Sequence, residues 1–391
     1  METADRTSGR RPPSAPDAVP EEPQAVTDAN RPPHTDEALP DVACDVVCLG
    51  ESMVTFLPSR PGPLADVPSF TRAIGGAESN VACALAGSGH STRWISRVGA
   101  DGFGDHLVRT VASHGVDTSA VRRDPVRPTG VYFRTDGERA TGAEQAPGDG
   151  EVAYYRAGSA ASAMSPATTD LAAADAGRVL HLTGITPALS ADCLALVRAL
   201  TAPRRTRPLV SFDVNYRASL WRSAPGTPEL LLDLARGCDL VLVGEDEAAA
   251  AWGVTGGPEA VRAALPEPSL LVVKSGDRSA TAFTGDGLRV RAPGLDVDVV
   301  APVGAGDAFA AGFLSGTLRG LPLTQRLRHG HLLAAAALTA PGDLAEPPAP
   351  AAADRLAALD EEAWGRLRLA PGWTENGRLG AAAPASEDHA V

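Results

Sequence analysis

Gly304-Ala305-Gly306-Asp307 runs directly into the apolar stretch Ala308-Phe309-Ala310-Ala311-Gly312-Phe313-Leu314. A glycine turn that opens a helix leaves the first backbone N–H groups without partners inside the helix. They point outward as an anion site. Asp307 lies in that first turn, where a carboxylate can take the proton of a hydroxyl while the amides of Gly304, Ala305 and Gly306 hold a migrating negative group. That combination suits phosphoryl transfer to an alcohol. The same residues also suit a plain tight turn with an acidic first turn favoured by the helix dipole.

A second segment with chemical potential is Ile74-Gly75-Gly76-Ala77-Glu78-Ser79-Asn80. Gly75 and Gly76 sit at a strand-to-helix turn and let a ligand approach the backbone. Asn80, in the first helical turn, can donate to and accept from sugar hydroxyls. A simple helix start is the alternative reading. Further on come Arg97-Val98-Gly99-Ala100-Asp101-Gly102-Phe103-Gly104, and later the single lysine, Lys274, in Lys274-Ser275-Gly276-Asp277.

The elements that must position these residues follow from the apolar pattern. Asp45-Val46-Val47-Cys48-Leu49-Gly50, Arg178 to Leu182, Leu209 to Asp213, Leu240 to Val243 and Leu270 to Lys274 are short continuous apolar runs. Helical stretches separate them. Such runs are strands of a parallel sheet covered on both faces. Ser91 to Val98 reads as one further strand. Two regions, Met53 to Phe70 and Thr129 to Arg156, instead alternate as half-buried strands with turn signals, and the polar, glycine-rich stretch Asp136 to Gly150 reads as a hairpin tip. Together they predict a small β-sheet lid, formed from about residues 51–72 and 127–160, that can close over a substrate. Residues 1–41 read as a disordered Pro-rich tail, 42–374 as the folded domain and 375–391 as a second disordered tail.

Composition bounds the rest. The 391 residues carry a formal net charge of −13 with 44% hydrophobic residues, enough for a sizeable core. The acidic balance and the absence of a basic stripe argue against nucleic acid. The apolar runs are too short to span a bilayer. Arg10-Arg11 has no apolar segment after it, so no twin-arginine signal is expected. Five cysteines at scattered spacings imply neither zinc nor a disulfide framework, which fits a reducing cytoplasm. The histidines show no pairing, and His181 reads as a core residue.

With both glycine segments in this order, the chain resembles the PfkB (ribokinase-like) carbohydrate kinases over roughly residues 44–345. The signatures fall at Gly75 to Gly104 and Val300 to Leu314. The resemblance implies an α/β, ribokinase-like three-layer sandwich with a mostly parallel central sheet and a small β-sheet lid. Ala77-Glu78-Ser79-Asn80, Tyr154-Tyr155-Arg156-Ala157-Gly158-Ser159-Ala160 and Asp213-Val214-Asn215-Tyr216-Arg217 are most similar to 2-keto-3-deoxygluconate kinases. This implies transfer from ATP with Mg²⁺ to the terminal hydroxyl of a sugar acid, giving the 6-phosphate. Gly75, Gly76, Asn80, Tyr132, Tyr154, Arg156, Asp307 and Asp343 would then bind substrate, with Arg156 suited to a carboxylate. Asn215, Arg217, Glu247, Lys274, Gly276, Gly304 and Gly306 would face the nucleotide, and Glu247 would touch the metal through water.

The chain departs from the family pattern at three places. Ser279 replaces the last glycine of the Lys-x-Gly-x-x-Gly turn. Ala301 replaces an aspartate that helps hold a monovalent cation, which puts K⁺ activation in doubt. Gly244 replaces the asparagine of Asn-x-x-Glu, with Glu245 and Asp246 as candidate compensators. The alternatives are a kinase of fructose, ribose or a nucleoside, and a non-catalytic sugar- or nucleotide-sensing relative. A dinucleotide oxidoreductase lacks its Gly-x-Gly-x-x-Gly after the first strand. The lid edges predict a homodimer or higher homo-oligomer.

Overall fold

The computed structural model describes residues 42–135, 152–204, 206–222, 224 and 227–376. The expected tail over residues 1–41, the hairpin tip 136–150 and residues 377–391 lie outside that set.

Eight strands form the central sheet, in the spatial order Arg289–Pro293, Ser279–Thr284, Leu270–Lys274, Leu240–Gly244, Leu209–Asp213, Gly177–Thr183, Cys44–Leu49, Thr92–Ile95. The strands from Leu270–Lys274 to Thr92–Ile95 are mutually parallel, and the two beyond Leu270–Lys274 are antiparallel. Alternation along each strand splits the core into two layers. Val47, Leu49, Leu180, Leu182, Val210, Phe212, Val241 and Val243 face one side. Val46, Cys48, Val179, Leu240, Leu242 and Val272 face the other, against the helices Ala77–Gly87 and Ala305–Leu318. Both faces are apolar because helices cover both, which is why these strands read as unbroken hydrophobic runs. All five cysteines are buried and free.

Register places the carboxyl ends together. Asp213 lies opposite Thr183 on one side and Leu242 on the other, and Gly244 lies opposite Lys274. Ligands of open parallel sheets bind beyond these ends.

A separate four-stranded sheet has the order Phe70–Gly75, Met53–Pro58, Val131–Arg134, Val152–Tyr155. Its central pair, Met53–Pro58 with Val131–Arg134, is parallel and the outer pairs are antiparallel. This is the lid sheet. One of its faces stacks Phe56 on Phe133 at 4.7 Å between ring centroids. The expected strand Ser91 to Val98 is in fact two strands, Thr92–Ile95 in the central sheet and Arg97–Gly99 paired with Arg122–Asp124. Ser96, whose carbonyl accepts from the Arg122 amide at 2.9 Å, marks the change of partner.

Candidate active site

Helix Ala305–Leu318 begins at the carboxyl ends of the central strands with Gly304 as its N-cap, at φ 72°. A Cβ at Gly304 would overlap the carbonyl oxygen of Asp343, so both backbone conformation and space demand glycine. The Ala308 amide donates to Gly304 O at 2.9 Å. The amides of Ala305, Gly306 and Asp307 precede that bond and are the free donors of the first turn.

The Asp307 carboxylate is held from another element. Asn80 Nδ2 donates to Asp307 Oδ2 at 2.9 Å, and Asn215 Nδ2 lies 3.5 Å from Asp307 Oδ1. Burial pushes the Asp307 carboxyl up to about 7. The Asn80 hydrogen bond works against that rise and the Asp213 charge adds to it. A carboxyl poised near neutrality can both accept and return a proton. Asn215 adopts φ 40°, the one positive φ of a non-glycine residue among the described residues. Strain of this kind concentrates at ligand sites.

Lys274 Nζ lies 3.1 Å from both carboxylate oxygens of Asp213, a pair whose acid is fully buried. Burial opposes the Lys274 charge, but the carboxylates of Asp213 and Glu247 outweigh it and hold its pKa above the ordinary value. A Cβ at Gly306 would stand 3.8 Å from Lys274 Nζ, so this cation lies beneath the helix mouth. Glu247 has its carboxyl raised by burial, against the pull of Lys274. Its Oε2 accepts the Gly244 amide at 2.7 Å, capping helix Glu245–Trp252. Glu245 accepts Ser275 Oγ at 2.6 Å and Arg278 Nη2 at 2.7 Å, while Asp246 is exposed. Glu245 is thus committed to the Ser275–Arg278 turn and does not stand in for the missing asparagine. Gly276 supplies that turn's left-handed residue at φ 62°.

Opposite this face lies a second polar group. Tyr132 Oη donates to Asp343 Oδ2 at 2.8 Å, and Arg134 Nη2 lies 3.0 Å from Asp343 Oδ1. A Cβ at Gly75 would overlap the Tyr132 hydroxyl, and one at Gly76 would stand 2.6 Å from Glu51 O. Arg156 Nη2 pairs with Glu51 Oε2, and Ser159 Oγ donates to Glu51 Oε1 at 2.8 Å. The Arg156 guanidinium carbon lies 5.7 Å from the centroid of the half-exposed Tyr154 ring.

The profile of the pfkB family of carbohydrate kinases matches residues 44–350, most of the chain. The chain belongs to that family. It is 35% identical to the 2-dehydro-3-deoxygluconokinase of Bacillus subtilis over 77% of this chain and 91% of that protein. It is 33% identical to a probable chloroplastic fructokinase-6 of Arabidopsis thaliana over 74% of this chain and 75% of that protein. The crystal structure of a PfkB protein from Polaromonas sp. JS666 superimposes with a TM-score of 0.68 at 36% identity, covering 81% of this chain and all of that one. The protein is therefore a sugar kinase.

These groups fall into two sets that meet at Asp307. Gly304, Asn80, Asn215 and Asp343 converge on it, and Gly75, Tyr132 and Arg134 join through Asp343. Lys274 approaches from the end of its strand and Glu247 from the first turn of helix Glu245–Trp252, and the Arg217 charge lowers the pKa of both Asp307 and Glu247. Arg217 Nη1 itself donates to Tyr216 O at 3.2 Å.

Three carboxyl and guanidinium groups escaped the sequence reading. Arg134 follows Tyr132 by two residues, so the strand period places both on one face, a signal available beforehand. Glu51 directly follows the apolar strand ending at Gly50, but nothing local marks its pairing with Arg156 over a hundred residues later. Glu78 is fully buried in helix Ala77–Gly87, where its Oε1 accepts Thr183 Oγ1 at 2.8 Å and Thr186 Oγ1 at 2.9 Å. Burial pushes the Glu78 carboxyl up to about 7. His181 is buried, bonded at Nδ1 to Ser211 Oγ at 3.1 Å, with burial pushing its pKa down to about 4. That is a neutral core imidazole.

Proposed function

We propose that this kinase phosphorylates the terminal hydroxyl of a sugar acid, with 2-keto-3-deoxygluconate as the substrate and its 6-phosphate as the product. ATP is the donor. The observation that carries the mechanism is Asp307 at the Gly304-capped helix mouth, gripped by Asn80 from a helix distant in sequence.

The sugar enters between Gly75, Gly76, Asn80, Tyr132, Tyr154, Arg156 and Asp343. Asp307 takes the proton of its terminal hydroxyl as the oxygen attacks the γ-phosphorus in line. The amides of Ala305, Gly306 and Asp307 receive the phosphoryl oxygens; these are the free first-turn donors, whereas Gly304 contributes the cap conformation. Lys274, Asn215 and Arg217 lie toward the triphosphate. Positioning and charge stabilisation carry most of the rate in such a transfer. Among the described residues no three His, Cys, Asp or Glu side chains cluster as metal ligands. Mg²⁺ would therefore be held chiefly by the phosphates, with Glu247 reaching it through water, and it supplies charge neutralisation when bound. Ala301 gives no carboxylate for a K⁺ site.

A specific observation favours a second reading, a neutral hexose such as fructose. Arg156 is matched by Glu51 and Arg134 by Asp343, so each guanidinium of the acceptor pocket already has its acid. A coupled ADP-release assay over sugars and sugar acids separates the two. Turnover of 2-keto-3-deoxygluconate well above fructose supports the first reading, and the reverse order overturns it. Asp307→Asn should abolish turnover on either sugar while nucleotide binding persists. Calorimetric sugar or nucleotide binding with no turnover on the whole panel would point to a sensing relative. We further propose a cytoplasmic enzyme, since its five cysteines are free and no described helix is long and apolar enough to cross a membrane. Pairing through the lid sheet would make it a homo-oligomer, which sedimentation tests.

A further inference from the structure

We propose that Glu51 sets the charge selectivity of the sugar pocket. It neutralises and aims Arg156 at the hinge between the lid and the central sheet. This rests on the reading above that Arg156 faces the sugar.

Four stretches of chain cross between the lid and the body, and Glu51 touches or abuts the others. It lies between strands Cys44–Leu49 and Met53–Pro58, so it is itself on the first crossing. At the second, a Cβ on Gly76 would stand 2.6 Å from Glu51 O, and Ser52 Oγ donates to Gly75 O at 3.4 Å. At the third, a Cβ on Gly130 would stand 3.2 Å from Glu51 Oε1. At the fourth, immediately after strand Val152–Tyr155, Arg156 and Ser159 each bond one Glu51 oxygen. The Glu51 side chain is 1% exposed and that of Arg156 14% exposed. A buried acid at such a junction needs its cation, and the pair is locked by a third residue.

The pairing uses only part of the guanidinium. Arg156 Nε is buried and makes no hydrogen bond among the described residues. The fork has five donors and Glu51 engages one terminal nitrogen, so further donors remain for a ligand that meets the exposed part of the side chain beside the Tyr154 ring. What a ligand meets there depends on Glu51. With the carboxylate present most of the guanidinium's charge is offset, and an acidic sugar keeps only a modest advantage over a neutral one. Without that negative charge, the guanidinium presents a full positive charge in a poorly solvated place, where it attracts an anion strongly. Glu51 thus works as a built-in carboxylate that tempers the preference for acids while keeping Arg156 aimed.

The test is Glu51→Gln, which keeps shape and hydrogen bonding but removes the charge. The readout is kcat and KM for 2-keto-3-deoxygluconate and for fructose with ATP·Mg, together with Kd for D-gluconate and D-glucose by calorimetry. The expected result is a rise of about tenfold or more in the acid-to-neutral ratio, carried by a lower KM or Kd for the acid alone. A purely structural role would weaken both substrates alike. A ratio within twofold of wild type overturns the proposal. Since an unpaired Arg156 strains folding, Glu51→Gln/Arg156→Gln is the second variant. It removes both charges, and its acid-to-neutral ratio should fall below wild type. If only this variant folds, an unchanged ratio overturns the proposal. Failure of the wild type to phosphorylate either sugar would refute the functional reading, while the gluconate-to-glucose binding ratio would still decide the role of Glu51.

Discussion

Asn80→Ala should move the acid limb of the kcat profile upward in pH. The Asn80 amide donates to Asp307 Oδ2 at 2.9 Å and stabilises the charged form of a carboxyl that burial lifts to about 7. A hydrogen bond to a charged group contributes about 1.5–3 kcal/mol when buried. Asp307 is half-buried, so the lower end applies. At 1.36 kcal/mol per pKa unit this is about one unit. The base is ionised in half the molecules at pH 7 in the wild type, and in about a tenth of them in the variant. Turnover at saturating sugar should then fall roughly fivefold at pH 7 and recover by about pH 9. Steady-state ADP release from pH 5.5 to 9.5 measures this, with sugar and ATP held saturating at each pH. A loss of similar size at every pH, with the limb unmoved, would show that Asn80 does not act on the ionisation of Asp307. It would also weaken the case for Asp307 as base.

Three further outcomes follow from the same geometry. Gly304→Ala forces a side chain onto a φ of 72° and into the Asp343 carbonyl, so it should cost about 1–2 kcal/mol in backbone strain alone. The displaced amides should lower kcat about a hundredfold, read in the coupled assay. Lys274→Met leaves the Asp213 carboxylate buried and unpaired, which should destabilise the fold by about 3–5 kcal/mol in urea titration. Adding Asp213→Asn should restore most of that. Glu78→Gln reports on pH-dependent stability. The folded carboxyl titrates near 7 against 4.5 for an ordinary glutamate. A raised folded pKa gives stability that is present below the unfolded value and lost as pH climbs through the folded one. The glutamine variant escapes that loss, so it should gain on wild type between about pH 4.5 and 7, reaching about 3 kcal/mol by pH 8. Equal unfolding midpoints at pH 5 and pH 8 would refute it.

Much of the site was legible because its chemistry is local. Gly304 and Asp307 are three residues apart, so a glycine turn opening a helix with an acid in its first turn is visible in the spacing alone, while the left-handed conformation of Gly304 came from the structure. The central strands were legible because both their faces are covered, which leaves unbroken apolar runs. The strand Ser91 to Val98 was misjudged because a change of sheet leaves no mark in hydrophobicity.

The sequence by itself determined the sheet, the glycine-capped helix mouth and the acid within it, since each follows from neighbours in the chain and from periodicities of two and 3.6. Only the tertiary structure decided which charges meet. Asn80 reaches Asp307, Arg134 reaches Asp343, Arg156 reaches Glu51 and Lys274 reaches Asp213, each across tens to hundreds of residues. The physical reason is that a charge removed from water must find its partner wherever the packed elements bring one. That choice belongs to the arrangement of the strands and leaves no trace in local spacing.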